Sequence, residues 1–138
     1  MRGHHLAYLL LAAFYGCISN PLSGDGSQSV TLVGQWLWVR SSGGLQGKII
    51  TPPAGDRSTV RFTSDWKYYS YSHDTLKGST SYSLIRDKTI YSRDSLDVIV
   101  FQDSSMPNLT VVQLTRDTLG LGDNMIDGFV SAFVRIGE

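Results

Sequence analysis

Cysteine is nearly absent: the chain of 138 residues has one, Cys17. No disulfide can form within the molecule, so packing and hydrogen bonds must hold the fold. Glutamate is as scarce, occurring once at Glu138, and eleven of the twelve acidic residues are therefore Asp. That bias suits turns and strand ends better than helices. Neither sign of charge dominates, since twelve basic residues meet twelve acidic ones without a Lys/Arg cluster. The long-range field that draws a polyphosphate backbone is missing, which argues against a nucleic-acid partner. Long apolar runs are missing too: the longest, "LAYLLLAAFYG" from Leu6 to Gly16, has eleven residues. At helical rise it spans roughly 16 Å of a hydrocarbon core about 30 Å thick, too little for a permanent transmembrane helix.

What is present divides the chain in three. Arg2 followed by that uncharged apolar run reads as an export signal over residues 1–16. Cys17 directly after the small residue Gly16 resembles the lipobox of bacterial lipoproteins, in which this cysteine is lipidated and becomes the mature N-terminus. Phe14 stands where that motif usually has Leu, and a non-lipid signal cut after Ser19 is the alternative. Residues 17–29, "CISNPLSGDGSQS", are small, polar and punctuated by Gly and Pro, the composition of a tether. Ile18 and Ser19 carry no acidic retention signal, which by resemblance to lipoprotein sorting implies transfer to the outer membrane, on a face left open.

From residue 30 to 138 no window keeps apolar residues at helical spacing, whereas alternation of period two recurs between turn clusters. The expected class is all-β, antiparallel, with strands at Gly34–Arg40, Lys48–Ile50, Thr59–Thr63, Tyr68–His73, Ser79–Arg86, Thr89–Tyr91, Leu96–Phe101, Leu109–Leu114, Asp117–Leu121 and Phe129–Ile136. Breaks such as "TPPAGD", "SDWK", "DTLKG", "RDK", "SRD" and "GDNMIDG" separate them. "DVIVF" and "FVSAFVRI" are apolar on both faces, which points to a small closed up-and-down barrel of about eight strands, with a two-sheet sandwich as the alternative.

Gly34-Gln35-Trp36 forms a G-x-W at the start of the first strand, and Arg135 lies on the last. With "LVGQWLWVRSSGG", "TPPAGD", "VRFTSDWKYYSY" and "DNMIDGFVSAFVR", the pattern resembles the lipocalin-like (calycin) lipoproteins of Gram-negative bacteria over nearly the whole of residues 30–138. Trp66 departs from it, standing where the group usually has a glycine turn. The resemblance implies an eight-stranded barrel, a lipid anchor, a basic residue laid against the G-x-W tryptophan, and neither a catalytic activity nor a particular ligand.

Physically, Gly34 permits a sharp entry into the strand, and Trp36 can plug the narrow end of a barrel with Arg135 over its face. Strict alternation sends Trp38 into the same interior and puts Arg40 next in that row, towards the mouth. An inward row of Tyr69 and Tyr71 with Trp38, Phe62 and Tyr82 would line a pocket for a flat or lipid-like molecule, unless these rings simply fill the barrel. His73, the one histidine beyond the signal segment, sits at a strand end beside Asp74 with no nucleophile elbow around it, and reads as an exposed turn residue. Asp117, Asp123 and Asp127 lack the spacing of an EF-hand. The expectations are thus a lipid-anchored monomer in the cell envelope, with no metal or other cofactor, that binds a small hydrophobic ligand. A filled scaffold that engages protein partners is the alternative, and an enzyme ranks last.

Overall fold

The structure, a computed structural model, describes residues 30–138. The expected signal segment, Cys17 and the tether lie outside the described residues. Every regular element among the described residues is a strand: β1 (Gly34–Gly43), β2 (Lys48–Ile50), β3 (Ser58–Phe62), β4 (Lys67–Ser72), β5 (Thr75–Thr89), β6 (Ser92–Phe101), β7 (Leu109–Leu114), β8 (Thr118–Asp123) and β9 (Phe129–Gly137). Neighbours pair antiparallel in the order β1-β3-β4-β5-β6-β7-β8-β9, and β9 returns to β1. That last ladder closes an eight-stranded up-and-down barrel and rules out two separate sheets. The extra strand β2 pairs only with the far end of β1, through Ser41–Gly43.

Strand continuity differs from the sequence expectation around β5. Ser79–Arg86 belongs to one strand that also absorbs most of "DTLKG", all of "RDK" and Thr89, while "SRD" lies inside β6. The expected strand Thr89–Tyr91 is not one, because Ile90 and Tyr91 form the turn between β5 and β6. The real turn before β5 is His73-Asp74, both left-handed at φ 50° and 60°, the backbone of a two-residue primed hairpin. Charged clusters here mark an exposed ribbon, not a break. Its backbone groups stay paired from Tyr82↔Phe101 to Thr89↔Ser92, and its charges face water, as Arg86 and Asp97 do in a cross-strand pair of 3.2 Å.

The inward faces bury Trp36, Phe62, Tyr68, Tyr82, Ile99, Phe101, Leu119, Leu121 and Phe133, with Leu32 packed on from the segment before β1. Phe62 is the hub of an aromatic cluster, its ring 5.2 Å from both Tyr68 and Tyr82, while Tyr68 is 5.0 Å from Phe101. Tilted and edge-on contacts of this kind add to the area they bury.

The wall is least complete between β6 and β7, which share two residue pairs, Val98↔Thr110 and Ile99↔Leu109. Beyond them the β5–β6 ribbon leaves the barrel and lies on its outside. Tyr91 occupies the space a side chain at Gly122 would need, and its hydroxyl donates to the Asp123 carbonyl. The Ile90 amide donates to Asn124 Oδ1 at 3.0 Å. Gly122 faces outward between the inward Leu121 and Asp123, so the ribbon shields an outer face, where Val98 and Thr110 are buried.

Candidate functional site

One end of the barrel, where β1 begins and β9 finishes, is closed by a clamp. Trp36 is fully buried and donates its indole N–H to the Leu32 carbonyl at 2.9 Å. Arg135, paired with Trp36 across the β1–β9 ladder, holds its guanidinium carbon 4.0 Å from the centre of that ring. Its five donors suit a fork of acceptors: Nη1 donates to the Val33 carbonyl and Nη2 to that of Thr31, both at 2.8 Å, and Nε to that of Arg116 at 2.6 Å. One side chain therefore ties the entering segment and the β7–β8 turn to the last strand. Gly34 has φ 144°, and a Cβ there would run into the Arg135 guanidinium. The glycine of the G-x-W serves the arginine's passage as well as the turn of the chain.

The other end, where β1 finishes and β9 begins, is more open. Trp38 faces inward opposite Phe133 and packs on the core, yet it stays partly exposed where Trp36 is not. Its indole N–H donates to Ser41 Oγ at 2.9 Å, and Ser41 shares a 2.7 Å hydrogen bond with Ser131. The inward row that starts at Trp36 continues through Val60 to the small residues Ser70 and Gly78. Two loops form an apolar rim: Leu45 at 87% exposure on the β1–β2 turn, and Ile126 at 84% with Met125 on the β8–β9 loop. The Gly44 amide joins them by donating to the Gly128 carbonyl at 3.4 Å.

The expected pocket row is only partly assembled. Phe62 and Tyr82 are inward but locked in the aromatic cluster near the closed end, away from the Trp38 level. Tyr69 and Tyr71 are not inward: Tyr69 pairs with Arg61 and Tyr71 with Thr59, the phase opposite to Phe62↔Tyr68, and the buried ring is Tyr68. Arg40 is also outside. A bulge between Trp38 and Arg40 inserts one residue, so Ser41 takes the inward place and Arg40 faces water. Sequence reasoning missed Ser41 for this reason, and with it the partner Ser131. It missed Tyr68 although a five-residue connection from Phe62 makes the two direct partners.

Burial raises the Tyr68 and Tyr82 hydroxyl pKa values above the usual phenol range, with the Asp65 charge adding to the shift at Tyr82. His73 lies on the exposed β4–β5 turn with Nε2 3.5 Å from Asp56 and Nδ1 3.2 Å from Ser72 Oγ. Water screens such a surface pair. Among the described residues no group of three or more His, Cys, Asp or Glu side chains is placed to hold a metal ion. Comparison with known proteins finds no matching family model, no similar curated protein and no similar solved structure.

Proposed function

We propose that this chain is a lipocalin-like binding protein of the bacterial cell envelope, lipid-anchored through Cys17, and that the open half of its barrel holds a small apolar or aromatic molecule. The observation that carries the reading is Trp38, an inward indole that solvent reaches, with the Ser41–Ser131 hydroxyl pair beside it and an apolar rim above. Concave apolar walls with a few convergent polar groups are what small-molecule sites are made of. Binding 2-naphthol, a flat apolar probe, should shift the tryptophan emission of the purified protein. Trp38→Ala should weaken that binding by about tenfold or more, the loss of one aromatic stacking partner, while the fold survives. Undiminished binding by the folded variant would sink the assignment, and mass spectrometry of the mature N-terminus tests the acylation of Cys17.

The rim also favours a second reading. Leu45 and Ile126 are almost wholly exposed at adjacent loop tips, the kind of patch through which a scaffold lipoprotein engages an envelope protein. Replacing both with Ser should abolish co-purification of that partner on this reading, and leave 2-naphthol binding intact on the first.

A further inference from the structure

The β3–β4 connection is a tight loop in which the Trp66 amide donates to the Thr63 carbonyl at 3.1 Å and the Thr63 amide to that of Lys67 at 2.9 Å. Trp66 occupies its left-handed position, at φ 62°. Glycine is the residue this backbone favours, and a β-carbon there is strained. In exchange the fold gains the burial of only about half of the ring. The indole rests against Tyr82, with ring centres 5.4 Å apart, yet the residue is 52% exposed. A strained, half-wet aromatic points to a task other than packing.

Trp66 overhangs a cleft of about 210 Å³ at the closed end, where β6 parts from β7. Tyr82, Leu84, Val111 and Leu114 line it, together with residues 30–33. A drug-sized ligand needs roughly 300 Å³ or more, so this space suits a single ring or a short chain. Among the described residues on its wall, the ionisable groups are Asp97 and the Tyr82 phenol. Its partner Arg86, at 3.2 Å, lies outside the cleft with a side chain 67% exposed.

We propose that this cleft is a second binding site, at the opposite end of the barrel from Trp38, and that it takes a short alkyl chain bearing an ammonium head group. The chain fills the apolar seam between Leu84 and Leu114. The head meets the open face of Trp66, whose ring quadrupole attracts cations, and the Asp97 carboxylate. An anionic head would face that carboxylate and is disfavoured. This proposal does not rest on the reading of the open end.

The test titrates the full chain with hexyltrimethylammonium and with hexanoate, followed by calorimetry. The ammonium compound should bind about tenfold more tightly, the scale of a cation–π contact with a nearby opposite charge, and Asp97→Asn should remove the preference. Trp66→Gly should abolish binding while leaving Tm unchanged or raised, because the strained position is relieved. A purely structural Trp66 would instead lower Tm. Equal or tighter binding of hexanoate, undiminished binding by Trp66→Gly, or no saturable binding to the parent chain would each overturn the proposal, the last including a cleft filled by residues ahead of Val30.

Discussion

Arg135 shows how much one residue carries in a fold without disulfides. Its guanidinium satisfies three carbonyls that no strand partner reaches and covers the Trp36 ring. Lysine keeps the charge but is a point donor without the fork. Arg135→Lys should therefore cost on the order of 2 kcal/mol in chemical denaturation, the scale of losing charged hydrogen bonds. It should also raise amide exchange in Thr31–Val33 well above that of β9. The pairing of Gly34, Trp36 and Arg135 was expected from the G-x-W at the start of the domain and the resemblance it carries. The inward or outward phase of single residues was less so. Alternation counts correctly from Gly34 to Trp38 and then fails, because nothing in "WVRSS" announces a bulge. Tyr69 and Tyr71 were misplaced for a different reason. Counting along β4 alone fixes which tyrosines share a face, but only the ladder with β3 says which face that is.

At the scale of elements, the β5–β6 ribbon is the departure from a plain barrel. It exists because its charged residues exclude it from the core while its backbone still pairs, and it is pinned where Tyr91 rests on Gly122. Its hydroxyl is raised above the ordinary phenol range by burial and by the Asp123 charge. Tyr91→Ala should unlatch the ribbon, with a loss of about 2 kcal/mol for a half-buried ring and increased amide exchange at Val98 and Thr110. If those amides exchange no faster, the ribbon does not depend on that contact. The strands bounded by turn residues at both ends, such as β2 and β7, were legible from sequence to the residue. The β5 region was not, since "RDK" and "SRD" look alike in a turn and in a solvated two-stranded ribbon.

For the whole molecule, the buried phenols set a limit in alkali. Tyr68, Tyr82 and Tyr91 all have raised pKa values in the fold, chiefly through burial. Between the unfolded value near ~10 and the higher folded value, the unfolded state has lost protons that the folded state retains. Stability is therefore fully present below about pH 10 and declines as pH rises above it. Tyr68→Phe, at a residue only 9% exposed, should flatten that decline in denaturation curves taken from about pH 9 to 11 while changing little near neutrality. Barrel closure itself was legible, because "DVIVF" and "FVSAFVRI" are apolar on both faces and a sheet so built needs cover on each side. What the barrel leaves open was not, since it depends on bulge positions and on where β6 leaves β7.

The clamp at Arg135 also gives the molecule a base and a brim. Residues 31–33 are stapled across the closed end, so the described chain enters the barrel at its base. Trp38 and the loops of Leu45 and Ile126 lie at the opposite end from that entry, while the cleft beneath Trp66 lies beside it. Under the anchoring proposed through Cys17, cargo delivered from a distance and cargo taken from the anchoring surface would thus meet different ends of the same cylinder.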